Sequence, residues 1–571
     1  MKKATYLITI QTDDGLREFS GSVDVTSTRL VIREDLPAGV IRSCELEMPW
    51  GIDDDEQFYL NGYQTWTEGY PLTLNSKSRG LQKAPGYLVR RLHLDRYGDL
   101  HFTNYPYREG YNHGYSFGYF YKNDIYRLVA SNDETNGYTL LIYESYYNWG
   151  IGYSGDGGNQ FGRLMLQKDC AGLVLNQGTT FTAFDLYIGE GSCDEVFDGW
   201  FDAMGIHPRK AHRLKGYTSW YNRYEKISEQ SILSDLEGCT RILREGDLFQ
   251  VDDGWETNVG DWLSVDETKF PHGMKYIVDA IHEKGFTAGL WLSPFVCNAR
   301  SSVFREHPEW LMKVTGAYPD WHMVPYTETI TAKDAPKRKY TGDMKKDAVD
   351  ASAPGKNTNA VYPWYGGVAW GGFVSLDFDN PEVIAYLEKV FSTVFEEWGF
   401  DMVKLDYLYG AAPFGTPSSA DGFICETRAG RMCRAIDLLR RLCGSHMILG
   451  CGVPVWPAFG KVEYCRVSCD MTLNWTGAFY RNMIGPEKYA TNVAISTAKM
   501  RQPLNGRAYL NDPDVFFLRK DNIHLDDAQK KLLAEHCCDT RGLFLTSDDP
   551  AAYDDATLQY YQELAERFEK D

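Results

Sequence analysis

Short alternating or β-rich runs recur between turn residues over residues 1 to about 200. Thr5–Ile10, Arg29–Arg33, Tyr87–Asp95, Tyr126–Ala130, Tyr138–Ser145, Leu173–Leu175 and Thr180–Ile188 each read as a strand, many flanked by Gly, Asn or Asp. Strands at this spacing predict a β-sandwich. Tyr111, Tyr115, Phe117, Tyr119 and Tyr121 fall at odd positions and predict the packed face of one or two strands.

From about residue 205 near-continuous apolar runs alternate with helical periodicity. Eight runs read as strands: Lys215–Tyr221, Leu248–Asp253, Thr287–Pro294, Met402–Tyr407, Met447–Val453, Val462–Asp470, Arg507–Asn511 and Gly542–Ser547. Helices are expected between them, including Ser228–Arg244, Met274–Lys284 before Gly285, and Ala551–Lys570. Pro381–Trp398 has Asn380 as N-cap, Pro at the first helical position and Gly399 at its end. Apolar strands alternating with helices imply a parallel sheet covered on both faces, and eight such units predict a (β/α)8 barrel. The expected organisation is a sandwich domain over 1–204 and a barrel domain over 205–571, with a long insertion at about 300–372. Within the insertion Lys333–Asn359 is polar, and the aromatic run Tyr362–Trp370 is a candidate lid over the barrel mouth.

Composition narrows the partners. The chain has 571 residues and a formal net charge of −20, against nucleic acid or an anionic membrane as partner. The first residues contain no apolar segment of signal-peptide type, and no run approaches the roughly 18 apolar residues of a membrane span. Thirteen cysteines without tight spacing suit a reducing, cytoplasmic setting. Cys465 and Cys469 lack a second pair, so no metal or other cofactor is expected.

Active sites of such barrels lie at the C-terminal strand ends. Strand two ends in Asp252-Asp253-Gly254-Trp255, and adjacent carboxylates suit either a grip on vicinal hydroxyls or a turn. Strand three carries Trp291, which either stacks on a sugar or fills the barrel mouth. Strand four presents Lys404 and Asp406 two residues apart, hence on one face, as a nucleophile with its cation or as a structural ion pair. Strand five ends in Gly450-Cys451-Gly452. Arg466 and Asp470 share a face of strand six if it stays regular to its end. Two carboxylates at strand tips are what glycosidic-bond chemistry requires.

The run Asp252-Asp253-Gly254-Trp255, then Lys404-Leu405-Asp406, then Gly450-Cys451-Gly452-Val453-Pro454 through Arg466-Val467-Ser468-Cys469-Asp470 resembles glycoside hydrolase family 36, the α-galactosidases (melibiases) of clan D. Asn61-Gly62-Tyr63-Gln64-Thr65-Trp66 and Asn511-Asp512-Pro513-Asp514 are also similar to family segments. The resemblance implies Asp406 as nucleophile and Asp470 as general acid, then base. It implies Asp252 and Asp253 on O4 and O6 of galactose, Lys404 on ring hydroxyls, Cys451 and Arg466 near O2, and Trp220 and Trp291 lining the pocket. It further implies retention, carboxyls about 5–5.5 Å apart, and a raised pKa at Asp470.

The chain departs from the family in Ser293-Pro294-Phe295, where many members carry glutamates, and in Ser468-Cys469, where many carry Gly-Pro. The last strand and helix are expected to leave no room for the family's C-terminal sandwich. The leading expectation is a retaining exo-α-galactosidase acting on a small carbohydrate, in a possible homo-oligomer. The alternatives are an α-N-acetylgalactosaminidase, an α-galactosyl transglycosylase and a silent carbohydrate-binding protein.

Overall fold

A computed structural model describes residues 2–25, 28–74, 76, 111–145, 162–315, 361–363, 365–367, 369–413, 426–477 and 489–570. The expected strand at Tyr87–Asp95 and the stretch Lys333–Asn359 lie outside the described residues.

The N-terminal part is two antiparallel sheets face to face. One runs in the order Gly15–Val25, Lys2–Thr12, Gly39–Pro49, Gly162–Lys168, Thr139–Ser145, Tyr111–Tyr115, with Val174–Leu175 added to Gly39–Pro49. The other runs Arg29–Leu36, Thr179–Gly191, Ile125–Ser131, Phe117–Lys122, Gln57–Leu60. Ile8, Leu46 and Leu166 of the first sheet meet Phe58, Phe120 and Leu186 of the second in one buried core, the sandwich arrangement. Gly162–Lys168 alternates buried and half-buried positions, as a strand with one covered face must.

Tyr115, Phe117 and Tyr119 belong to a second core, which continues into the rest of the chain. Phe117 packs on Trp200 with ring centroids 5.3 Å apart, and Tyr119 on Phe197 at 5.8 Å. Trp200 and Phe197 lie on the helix Cys193–Met204, whose capping box at Ser192 fixes its start and whose end is Gly205 in the left-handed conformation. Phe117 and Tyr119 are thus packing residues between sheet and helix.

All eight expected barrel strands are present: Leu214–Thr218, Leu248–Val251, Thr287–Leu292, Met402–Leu405, Met447–Gly450, Tyr464–Arg466, then the split strand Leu510–Asp512 and Val515–Phe516, and finally Leu543–Thr546. Every pairing among them is parallel. Leu510–Asp512 pairs with strand six and Val515–Phe516 with strand eight. The two edges of the sheet are therefore pieces of one strand, and the sheet is a closed barrel. The break between them comes from Pro513, which has no N–H, and from Asp514 at φ 77°. The positions of strands two, four and eight are buried throughout, the signature of a parallel sheet wrapped by helices.

Most of the expected strands run past the observed ends; strand one stops at Thr218, and Trp220 and Tyr221 lie on the short helix Trp220–Arg223. Two further bounds bear on the site. Strand seven begins at Leu510 rather than Arg507, because Gly506 and Arg507 form a turn that sends Arg507 to Asp194 and Asp198 of the helix Cys193–Met204. Strand six ends at Arg466, so Asp470 stands on a loop and not on the regular strand face. Two expected helices begin where the caps place them: Ser228 caps Glu229–Cys239, which stops short of the expected Arg244, and the Asn380 side chain accepts from Glu382 N–H ahead of Pro381–Ser392. The last helix begins at Asp555, capped by Asp554, and not at Ala551, where Pro550–Ala552 is a separate turn. Pro381–Trp398 is not one uniform helix. Its last turn, Thr393–Trp398, widens into a π-helix before Gly399 at φ 90°.

Candidate active site

The strand ends converge on a cluster of carboxylates around two buried cations. Lys404, on strand four, donates from Nζ to Asp252 Oδ2 at 2.9 Å across the barrel. Gln250 Nε2 and Thr218 Oγ1 donate to the same oxygen at 2.9 and 3.3 Å, and Asp252 N–H donates to Ser219 Oγ at 2.9 Å. Burial works most strongly against the charge of Lys404, but Asp252 together with Asp406 and Cys451 holds the ammonium above the usual lysine range.

Asp253, next along the chain, faces elsewhere. Its Oδ2 accepts from the indole N–H of Trp370 at 2.8 Å. Burial, reinforced by the nearby Glu256 carboxyl, pushes the Asp253 pKa well up. Trp370, with φ 52°, lies on Tyr407 at 4.7 Å and beside Trp291 at 5.9 Å. One residue of the expected aromatic lid thus reaches the site. The side chains of 361–368 lie outside the description.

Asp406 follows the last residue of strand four and is 8% exposed. Trp291 Nε1 donates to Oδ2 at 3.1 Å and Tyr407 N–H to Oδ1 at 2.9 Å, so both oxygens are held. Its own N–H still pairs with Leu292 O at 2.9 Å, which anchors the backbone to strand three. Trp291 serves here as a hydrogen-bond donor to the carboxylate as well as a wall.

Asp470 stands at the mouth with its side chain 42% exposed. Arg466 Nη1 donates to Oδ1 at 2.9 Å. Loss of surrounding water raises the Asp470 pKa, and Asp406 adds to the rise against the pull of Arg466. The sequence placed Arg466 and Asp470 together through strand periodicity. The loop, not the strand, brings them into contact.

Arg466 also donates from Nε to Asp512 Oδ2 at 3.0 Å and lies 3.0 Å from Asp514 Oδ1 through Nη2. Asp512 and Asp514 were legible only as part of a familiar run, without a role. Cys451 is buried and accepts at Sγ from Trp66 Nε1, 3.3 Å away. Trp66 comes from the sandwich segment Asn61–Trp66 and packs edge-on to Tyr407 at 4.8 Å. Gly452, at φ 54°, is required here: a Cβ would stand 3.0 Å from the Trp66 ring and from Tyr407 N. Trp220 opens a short helix after strand one and packs its ring on Tyr224 at 5.3 Å. Its neighbour Tyr221 is the residue that reaches the carboxylates, donating to Asp514 Oδ2 at 2.6 Å.

The structure thus pairs Lys404 with Asp252, Trp291 with Asp406 and Arg466 with Asp470, and sets Asp406 within electrostatic reach of Lys404 and Asp470. It joins Asp253 to Trp291 through Trp370 and Cys451 to Tyr407 through Trp66, whereas Trp220 packs on Tyr224. Among the described residues, no helix is long and apolar enough to cross a membrane.

Residues 220–325 match the Melibiase family model. A stretch of 108 residues is 32% identical to α-galactosidase Mel36A of Lactobacillus acidophilus, covering 18% of this chain and 14% of that one. Another, of 65 residues, is 43% identical to an A type blood α-D-galactosamine galactosaminidase of Flavonifractor plautii, covering 11% and 6%. These stretches span well under two thirds of the relatives' lengths. The solved structure of TtGalA, an α-galactosidase from Thermus thermophilus in complex with stachyose, superposes with a TM-score of 0.64 at 20% identity, over 94% of this chain and 99% of that one. That likeness shows the fold, a sandwich followed by a (β/α)8 barrel. The family matches bear out the resemblance to glycoside hydrolase family 36.

Proposed function

From this kinship with the family 36 melibiases, we propose that the chain is a retaining exo-acting α-galactosidase, releasing terminal α-linked galactose from oligosaccharides by double displacement. The observation that carries the reading is the unequal pair Asp406 and Asp470. Asp406 is enclosed and accepts two hydrogen bonds, one at each oxygen, which suits an ionised nucleophile. Asp470 is open to the mouth and raised in pKa, which suits a proton donor to the leaving oxygen.

In the first step an Asp406 oxygen bonds to the anomeric carbon while the glycosidic C–O bond breaks. The leaving oxygen takes the Asp470 proton. In the second, Asp470 as carboxylate removes a proton from water, which attacks the anomeric carbon and frees Asp406. Asp253 and the Lys404–Asp252 pair hold ring hydroxyls, Trp291 and Trp220 wall the sugar, and Cys451 with Arg466 faces the 2-position.

The second reading is an α-N-acetylgalactosaminidase; the galactosaminidase match points toward a 2-amino sugar, but to galactosamine and not to its N-acetyl form. Against it, Cys451 is closed off by Trp66, and Arg466 is held by three carboxylates, so the wall near O2 is filled and tied. The test is incubation with nitrophenyl α-galactoside and nitrophenyl α-N-acetylgalactosaminide side by side, with Asp406→Asn as control. Release from the galactoside, lowered on the order of 10³-fold in the variant, is expected. Release from the second substrate alone overturns the sugar assignment, and full activity in the variant overturns the nucleophile. A reducing, cytoplasmic setting belongs to the same proposal, supported by free thiols at the described cysteines. So does a homo-oligomer, which light scattering would test.

A further inference from the structure

Arg466 is 3% exposed and meets three carboxylates through three different nitrogens. Two of them, Asp512 and Asp514, flank Pro513 in the split seventh strand and are fully enclosed. The kink at Pro513 turns both side chains toward one guanidinium, where an unbroken strand would keep residues 512 and 514 on one face at regular spacing. Asp514 N–H donates to Asp512 Oδ1 at 2.8 Å, which locks the turn. Asp514 Oδ2 receives two further donors, Tyr221 OH at 2.6 Å and Met471 N–H at 2.7 Å. Met471 is the residue after Asp470, so Asp514 holds the backbone of the proton donor while its other oxygen holds the donor's arginine. Asp470 retains one arm of Arg466 and none of the others.

We propose that Asp512 and Asp514 are positioning residues that set the proton affinity of Asp470, by occupying the charge of Arg466 and by fixing the loop at Met471. The inference rests on Asp470 acting as acid and base. An arginine free to turn its whole charge on Asp470 would favour the carboxylate and weaken its hold on the proton. Two competing carboxylates withhold that charge. The same network ties the proton donor, through Tyr221, to the short helix that follows strand one.

The other groups around Asp514 are consistent with this balance. Lys404 and Arg466 are the cations acting on it, and Asp470 the third carboxylate. The thiols Cys469 and Cys537, like Tyr221, are raised in pKa and remain neutral at working pH. Asp470 in turn faces Asp406 and Lys404 besides Arg466, with the Tyr407, Tyr221 and Tyr224 hydroxyls nearby. Burial, partly offset by Arg466, raises Asp514 to about 6, so it is ionised above that pH and holds Arg466 there.

The test is the pH profile of kcat/KM on a nitrophenyl α-galactoside for the parent, Asp514→Asn, Tyr221→Phe and Asp470→Asn. The alkaline limb of the parent should vanish in Asp470→Asn. In Asp514→Asn it should move down by about one pH unit, because one competing charge is gone. In Tyr221→Phe, which removes a donor to the Asp514 anion, it should move the same way by less. The second variant keeps the fold in reach if the first fails to fold. If the limb survives in Asp470→Asn, the acid assignment falls and this inference with it. If it vanishes there but stays in place in Tyr221→Phe and in any folded Asp514→Asn, the positioning role alone falls.

Discussion

Trp370 donates its indole N–H to Asp253 Oδ2 at 2.8 Å, across a separation of 117 residues. On the proposed function, in which Asp253 grips hydroxyls, the contact makes the end of the long insertion part of the site. Trp370→Phe keeps a ring on Tyr407 and removes the donor. A hydrogen bond to a carboxyl group contributes about 1.5 kcal/mol, so KM on nitrophenyl α-galactoside should rise about tenfold with kcat little changed. An unchanged KM would show that the contact does not bear on substrate.

The Lys404–Asp252 pair is buried on both sides, and removing one partner strands the other. Lys404→Met should cost about 3 kcal/mol of stability or more, read as a lower denaturant midpoint, together with loss of activity. A variant as stable as the parent but inactive would mean that Asp252 takes up a proton without structural cost.

Arg501 is fully buried and joins the sandwich to the barrel. It donates to Asn61 Oδ1 at 2.9 Å, to Gln64 O at 3.1 Å, to Thr65 O and, on the barrel side, to Val467 O at 3.1 Å. Arg501→Met takes the arginine donor from Thr65 O and Val467 O, each costing about 1 kcal/mol or more, while Gln64 O keeps Thr67 N–H and Asn61 Oδ1 keeps Tyr59 OH. We expect a thermal midpoint lowered by several degrees and reduced kcat, since Trp66 hangs from the same segment. Wild-type kcat in a folded Arg501→Met variant would disconnect the seam from the site.

Glu134 is fully buried, and burial raises its pKa to about 7, with Lys168 only partly offsetting the rise. The folded pKa lies above the unfolded value of about 4.3, so its contribution is present at low pH and lost as pH rises toward 7. Glu134→Gln should therefore raise the thermal midpoint at pH 8 and leave it nearly unchanged at pH 4. A midpoint lowered at pH 8 would mean that the ionised carboxylate, held by Thr139 N–H at 2.7 Å, is the favoured native form.

The barrel was legible because its strands carry unbroken apolar runs and its helices carry explicit caps at Ser228, Asn380 and Gly399. The sandwich was less so. Gly15–Val25 alternates exposed residues with half-buried ones and gives weak apolar contrast, whereas Gly39–Pro49 alternates buried Cys44, Leu46 and Met48 with exposed charges, a legible pattern missing from the expected strands. The strand-end rule found Asp406, Lys404 and Asp252. It misjudged how Arg466 reaches Asp470, because strand six stops at Arg466. Periodicity carries no signal for contacts between distant segments, so Trp66 on Cys451, Trp370 on Asp253 and the hold of Asp514 on Arg466 emerged only in three dimensions. A polar residue next to a proline in an otherwise apolar strand, as at Asp512-Pro513-Asp514, was the one available hint.

Strand one, Leu214–Thr218, is flanked in the closed barrel by Leu248–Val251 and by Leu543–Thr546. During synthesis its second edge has no mate until Leu543–Thr546 has left the ribosome. Until then an apolar edge stays open, Arg466 lacks the seat made by Asp512 and Asp514, and the proton donor has no fixed surroundings. On the proposed function, catalytic competence is therefore acquired in one late event, and a chain interrupted before residue 543 is expected to keep an aggregation-prone open barrel edge and to lack a working site.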